Sequence, residues 1–525
     1  DAQESRGLGD VYKRQGLIPA ALSNMGERFG YYIMNAVLLL FLVSKFGISD
    51  QWSGVIYSVF YALIYVLSLV GGVLADRKNN YKGVIMAGLI VMALGYILLS
   101  IPITSTSDNI SWLLPFTCVS LLLIAFGNGL FKGNLQAIVG QMYDDLEAEA
   151  AKKGPEALRI AKTKRDSGFQ IFYVFINIGG LIAPFVAPLL RSWWLGRNGL
   201  LYNAGLPELC HKVLNNAAMT VEETANLAKW TVEVGGSVPT PEFCHTYLEV
   251  FNTGVHYSFI ASVVAMLISL IIFISTRGLF PEPPKKVHVE TQGYTAEEKA
   301  AMASEIKQRM YALFAVLGVA VFFWFSFHQN GQSLSIFARD FIKTDAIPPE
   351  IWQAVNPFFV IVLTPIIMAI FGALARKGKS ISTPRKIVYG MLIAALAYIF
   401  LIAVSVHYGY PSGTDFRAMD AGTQAAMKAG PWVLIVTYFF LTVAELFISP
   451  LGLSFVSKVA PKHLQGLCQG LWLTATALGN LLIWLGPVMY NKWPIWVGWT
   501  VFAAVCLISM GIMLSMVKWL ERVTK

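Results

Sequence analysis

Apolar residues run along this chain in blocks of about 20 or more, the length a helix needs to cross a bilayer. Short polar stretches separate them. The pattern predicts twelve spans, near residues 17–45, 52–75, 83–103, 112–142, 167–190, 253–276, 310–333, 352–375, 386–407, 431–456, 466–490 and 495–517. The first block carries a contradiction. Inside it lies NMGERFGYYIMN, Asn24 to Asn35, with Glu27 and Arg28 well within the span. A charge at that depth costs about 3 kcal/mol on insertion scales, so it must face a protein interior or a water-filled cavity. At helical steps of three and four, Asn24, Glu27, Tyr31 and Asn35 share one face.

Other blocks supply a partner face. The fourth carries Asn128, Lys132 and Gln136 at spacing four, hence one stripe. The seventh has Trp324 and His328, followed by Gln329, Asn330 and Gln332. The tenth has Glu445 and Ser449, with Pro450 and Gly452 able to break the helix there. Tyr61 and Tyr65 repeat the spacing in the second, and Asn177 and Asn356 stand in the fifth and eighth.

Composition agrees with a chain that lives in lipid: of 525 residues, 56% are hydrophobic and 14% charged, where soluble domains carry about 25% charge. The net charge of +9 is explained by placement and points to no nucleic-acid partner. Lys and Arg favour the side holding both termini and the central connection by about three to one, the positive-inside bias. Both termini are therefore predicted in the cytoplasm, with the lipid bilayer as the surrounding phase. No short apolar segment with a cleavage site precedes the first span, so no cleaved signal peptide is expected.

The domain reading is a tail at 1–16, a six-helix bundle at 17–276, a cytoplasmic linker at 277–309 containing PEPPKK, and a second bundle at 310–525. The linker is too short to hide two more spans. An outer segment, 191–252, is too polar to span and contains a helix-like TVEETANLAKW from Thr220. It holds Cys210 and Cys244, for which an oxidising compartment permits a bridge and sequence gives no geometry. GVLADRK at 72–78 and GALARK at 372–377 echo each other. Repeated halves are how alternating-access carriers are built; two unrelated helix ends sharing small and basic residues is the plainer reading.

The midplane inventory sets Glu27 and Glu445 against Arg28 and Lys132, with His328 titratable. Separate cations and a separate anion suit a zwitterion, and Tyr, Trp and Asn groups suit backbone amides. Each residue also has a purely architectural reading: Glu27–Arg28 as a structural ion pair, Lys132 as the neutraliser of a carboxylate, His328 as a packing residue, Trp324 and Trp472 as core. Asp76 and Arg77 sit at a helix end and read as a gate brace. The scattered histidines show no metal-ligand spacing and no nucleophile elbow is present, so neither an enzyme nor a metal or other cofactor is expected.

These motifs resemble a family. GGVLADRK at 71–78 is similar to the loop signature of the major facilitator superfamily. GERFGYY at 26–32 and FYVFINIGG at 172–180 resemble the signatures of its proton-dependent oligopeptide transporters, and FGNGLFKGN, FWFSFHQNGQSL, AVNPFFV and ELFISPLGLS follow in order. The resemblance implies an all-α membrane protein with the major facilitator fold: twelve helices in two six-helix bundles, with no extra helix pair between them. It implies a symporter importing di- and tripeptides by alternating access across a bacterial inner membrane, with the proton as coupling ion and no obligate protein partner. Tyr31, Tyr32, Asn35, Tyr65, Asn177, Trp324, Asn356, Ser449 and Trp472 would line the substrate pocket. Lys132 would serve coupling or the peptide carboxylate, and Glu445 and Asn177, with Asn356, would take the peptide amino end; Glu27, Arg28, His328 and Glu445 would share in proton coupling, and Asp76 and Arg77 would form the cytoplasmic gate motif.

The chain departs from the family at several positions. The family usually has Glu where Asn24 stands, Arg where Asn35 stands, an acid where His328 stands and Pro where Gly133 stands. The Arg and acid would pair across the outer gate; losing one alone would leave a costly unpaired charge. Their joint absence implies a rewired gate, with Glu27, Glu445 and His328 left to carry the proton. A related carrier for another small solute (an amino-acid conjugate, nitrate or a drug-like compound) and a peptide sensor without transport are the alternatives.

Overall fold

A computed structural model describes residues 16–48, 50–106, 108–203, 205–281, 296–330, 333–343, 352 and 354–524. Twelve long helices dominate, here α1 (Leu17–Phe46), α2 (Asp50–Lys78), α3 (Tyr81–Ser100), α4 (Ile110–Gln141), α5 (Pro155–Arg197) and α6 (Pro241–Thr276). The second half holds α7 (Ala296–Phe327), α8 (Val355–Arg376), α9 (Thr383–His407), α10 (Trp432–Val459), α11 (Gln465–Asn480) and α12 (Ile495–Val523). Eleven helical runs, α2 to α12 with their extensions, are long and apolar enough to cross a membrane; α1 adds 30 residues.

Lipid inverts the usual burial rule. Rows of apolar side chains point outward, such as Val59, Val66 and Val70 on α2 and Ile90, Leu94 and Ile97 on α3. The polar stripes turn inward, where backbone and side chains must satisfy one another. Small residues let helices close up: a Cβ on Gly127 would stand 2.6 Å from the Gly88 carbonyl oxygen.

Several expectations about the helices change. α5, α6 and α7 start at Pro155, Pro241 and Ala296, well before their apolar cores. Their charged first turns extend into water, where hydropathy sees nothing. α7 therefore begins inside the stretch read as linker; residues 1–15 and 282–295 of the expected tail and linker lie outside the described residues. α10 is continuous through Pro450, so the break expected there is absent. The break lies in the eleventh span instead, at the turn 481–484 between Asn480 and Leu485. Gln329 Nε2 donates to the Ile483 carbonyl freed by that turn, at 3.2 Å.

The outer segment forms helices Leu206–Leu214 and Val221–Glu233. A capping box between Thr220 and Glu223 starts the second, as its sequence suggests. Cys210 and Cys244 are buried free thiols that neighbour each other. The 72–78 and 372–377 echo is unequal. Gly72 meets the backbone of α11, whereas the nearest neighbour of a Cβ on Gly372 is the side chain of Arg376, 3.8 Å away.

Candidate functional site

The linker end of the molecule, where α6 leaves and α7 arrives, is sealed by polar bonds between the halves. Asp76 accepts the backbone N–H groups of Gly466 at 3.0 Å and Leu467 at 2.8 Å. These are free donors at the start of α11, the natural place for a carboxylate. Tyr81 donates its hydroxyl to the same carboxylate. Arg77, beside it, is exposed. Asp166 on α5 accepts Lys458 at 2.6 Å, Lys386 at 2.9 Å and Ser454 at 2.6 Å, all from the second half. Arg165 spans Asp144, Glu147 and the Ser457 hydroxyl. Above this seal α2 and α11 touch through glycine: a Cβ on Gly470 would stand 2.8 Å from the Ser68 carbonyl oxygen.

The polar stripes meet beyond the seal. In the first half Glu27 and Arg28 form a buried ion pair, with Arg28 Nε 2.5 Å from Glu27 Oε2. Asn128 of α4 donates to the other oxygen of Glu27. The guanidinium of Arg28 lies 4.6 Å over the Tyr31 ring. Lys132, one turn from Asn128, holds its ammonium 4.9 Å over the Tyr65 ring. No carboxylate pairs with it among the described residues. Tyr65 shares a contact of 3.5 Å between hydroxyls with Tyr61.

In the second half Glu445 is buried on α10. Asn356 donates to it at 2.7 Å while also reaching the Thr442 hydroxyl at 3.1 Å. Tyr173, on α5 of the other half, donates its hydroxyl to the second Glu445 oxygen. Tyr32 has Arg28, Tyr65 and Glu445 as electrostatic neighbours. Ser449 is buried one turn beyond Glu445. Trp472 lies over Gly452, where a Cβ would come 2.1 Å from its ring; that glycine makes room for an indole and does not break the helix.

His328 ends α7 in a tight turn. Its Nδ1 is 2.5 Å from the Asn480 amide oxygen; an oxygen only accepts there, so Nδ1 carries the proton. The ring stacks on Trp324 at 4.8 Å. Trp324 in turn fits against Gly479 of α11. The side chain of Asn35 lies outside the described residues.

The residues singled out from sequence fall into three groups. Glu27, Arg28, Tyr31, Tyr65 and Lys132 gather inside the first half, and Asn356 gathers with Glu445 in the second, where Tyr173 of the first half joins them. Trp324, Trp472 and His328 pack on α10 and α11. Asn177 is held apart from Glu445: its amide donates to the Tyr173 carbonyl on its own helix at 3.0 Å. Tyr173, and not Asn177, is hydrogen-bonded to Glu445. That phenol lies four residues before Asn177 on the same face, a signal the sequence did contain. Asn480 and the Asp166–Lys458 pair had no such signal.

Comparison with known proteins follows the same lines. A family model described as the POT family matches residues 82–302 and 286–495. The dipeptide and tripeptide permease B of Shigella dysenteriae is 28% identical over 522 residues, covering 94% of this chain and 93% of its own. The peptide transporter YePEPT of Yersinia enterocolitica is 29% identical over 499 residues, covering 90% and 87%. A crystal structure of a peptide transporter POT in complex with sulfate superposes with a TM-score of 0.58 at 21% identity, covering 97% of this chain and 95% of its own. The fold is thus the twelve-helix major facilitator fold in two six-helix bundles.

Proposed function

The chain belongs to the POT family, and from that premise we propose that it is a proton-coupled symporter importing di- and tripeptides by alternating access. It is an integral membrane transporter and not an enzyme, as its family and permease relatives are. Peptide as the substrate is supported by the names of those relatives. The observation that carries the reading is the separation of charge across the two halves. Lys132 offers a buried cation without a carboxylate partner on one side; Glu445 offers a carboxylate oriented by Asn356 and Tyr173 on the other. A short zwitterionic chain satisfies both, its carboxylate toward Lys132 and its amino group toward Glu445. Tyr32 suits the peptide amide.

In this reading the linker end faces the cytoplasm of a bacterial inner membrane, and both termini lie there. The seal at Asp76, Arg165 and Asp166 is then the closed inner gate, and the conformation is one open or opening to the outside. The family's charged outer pair is replaced by Asn35 and His328, with His328 anchored on Asn480 and Trp324. Glu27, Glu445 and His328 are the groups left to carry the proton. Coupling has a clear energetic return, because one charge moving down 100 mV gains about 2.3 kcal/mol.

Counterflow of a labelled dipeptide in proteoliposomes tests the function. Counterflow that persists without a gradient, together with net uptake that an outside-acid pH gradient drives and an inside-acid one slows, supports symport. Peptide bound without flux would instead make the chain a sensor. Counterflow only of a non-peptide solute would remove the peptide reading.

A further inference from the structure

At the end opposite the linker, the first half encloses a cavity of about 360 Å³ that shares no residue with the site between the halves. It lies among the end of α1, the loop after α3, the outer helix Leu206–Leu214 and α6. Lys45 closes one side of it. This lysine is only 4% exposed, and no carboxylate lies within ion-pair distance of it among the described residues. Its neighbours are the Phe41 ring at 4.9 Å and His256 Nε2 at 3.2 Å.

The hydrogen-bond logic leaves the ammonium underused. His256 Nδ1 lies 3.2 Å from the Leu99 carbonyl oxygen. A carbonyl only accepts, so Nδ1 carries the ring proton and Nε2 offers its lone pair to Lys45. That takes one of the three ammonium hydrogens. His211 is fixed in the same way, with Nε2 2.7 Å from the Ser44 carbonyl, and burial holds its pKa below the usual value. Neither imidazole brings negative charge to Lys45. The dipole of α1 favours a cation at its C-terminus but supplies no partner for the remaining N–H groups. Glu249 also lines the cavity, yet it is solvent-exposed and forms no ion pair with Lys45. Thr104, Ser105 and Thr106 add hydroxyls to the wall, on a loop folded by Asn109, whose side chain bonds Thr106 N and the Thr104 carbonyl.

We infer that this cavity is an anion site in which Lys45 binds a phosphate-type oxyanion, brought either as free phosphate or as the headgroup of an anionic lipid. A buried ammonium lacking a counter-charge is completed by an anion, and the loop hydroxyls and Asn252 are hydrogen-bonding groups of the kind that coordinate phosphate oxygens. The volume holds more than a single water needs, enough for phosphate together with the group attached to it. The wall joins α1 to the outer segment, so an occupied site ties that segment to the transport bundle.

The test uses the full chain in a neutral detergent. Its thermal midpoint is followed while sodium phosphate is added at constant ionic strength. A second series compares phosphatidylglycerol with phosphatidylcholine. Saturable stabilisation by phosphate identifies a free anion; stabilisation by phosphatidylglycerol alone identifies a headgroup. In either case Lys45→Met weakens binding by roughly tenfold or more and Lys45→Arg keeps most of it. Stabilisation by neither anion, or undiminished binding by Lys45→Met, overturns the inference. Should Lys45→Met not fold, acetylation of Lys45 in the unaltered protein is read by peptide mass spectrometry. Protection by the bound anion upholds the site, and an unchanged rate removes it.

Discussion

Asp166 on α5 and Lys458 on α10 form a buried ion pair, 2.6 Å long, that joins the two halves. Lys386 approaches the same carboxylate at 2.9 Å, so one anion holds two cations. Removing the anion leaves both lysines buried and unpaired, a loss of about 3–5 kcal/mol for a buried pair. Helices that can separate relieve this by separating. Asp166→Asn is therefore expected to open the linker end. Cys468, buried near the start of α11, is a native reporter of that opening. Its maleimide labelling should rise by roughly tenfold or more over the unaltered protein, since each 1.4 kcal/mol is a tenfold population change. Labelling that stays flat would show that the pair contributes nothing to closure.

Asp76 works through a different contact. It caps the exposed N–H groups of Gly466 and Leu467, and losing such a cap costs about 0.5–2 kcal/mol. Asp76→Ala should raise Cys468 labelling less than Asp166→Asn does. Asp76→Asn should fall between Asp76→Ala and the unaltered protein, because its amide oxygen still accepts one of the two N–H groups. A ranking in which Asn behaves no better than Ala would mean that charge, and not hydrogen bonding, holds this end of the seal.

Steric closure can be tested without touching a charge. A Cβ on Gly72 would stand 2.3 Å from the Gly466 carbonyl oxygen and 2.4 Å from its carbon. The obstacle is backbone, so it cannot rotate away. Gly72→Ala should force α2 off α11 at a cost of about 1–3 kcal/mol, as overpacking does. Gly372→Ala is the matched control, since only the far end of Arg376 comes near. Transport should fall sharply in the first variant and stay near normal in the second. Equal effects would mean that the two echoed segments bear the same load.

What sequence could deliver here is bounded by what hydropathy and spacing measure. The shared face of Glu27, Tyr31 and Asn35, and that of Glu445 and Ser449, follow from helical period alone, and in the structure Glu27 and Glu445 are both buried. The break after Asn480 was invisible because residues 481–484, LLIW, are apolar and continue the block. Asp166 was overlooked because KTKRDSG reads as a solvated helix start. Its partners Lys386 and Lys458 are more than 200 residues away, and pairing at that distance leaves no local trace. That Tyr173 and not Asn177 reaches Glu445 is a difference between two residues on one helix face, which only coordinates decide.

The peptide reading makes a matched demand on ligand and protein. Glu445→Gln should weaken dipeptide binding by about 2 kcal/mol or more, roughly thirtyfold, as truncation of a buried charge pair does. An N-acetylated dipeptide lacks the amino charge, so it should bind the unaltered protein weakly and Glu445→Gln about equally weakly. Lys132→Gln should show the same pattern against a dipeptide amide, which lacks the terminal carboxylate. Thermal-shift titration measures all of these. If Glu445→Gln penalises the acetylated ligand as much as the free dipeptide, the amino group is not what Glu445 meets.

His328 separates coupling from binding. Its Nδ1 donates to Asn480, and Gln can keep a donor in that place while removing the titration. If His328 carries the transported proton, His328→Gln should lose proton-driven accumulation and the pH dependence of uptake. Counterflow of dipeptide should persist, because exchange needs no net proton movement. The measurement is initial uptake against external pH in proteoliposomes, with counterflow in the same preparation as the control for folding. An unchanged pH profile would leave the proton to Glu27 or Glu445. Between those, Glu27 is already saturated by Arg28 and Asn128, so protonating it must break a standing ion pair. Among the described residues, Glu445 is held only by the neutral donors Asn356 and Tyr173. It can therefore gain a proton without stranding a buried cation, and Glu445→Gln would then lose accumulation where His328→Gln did not.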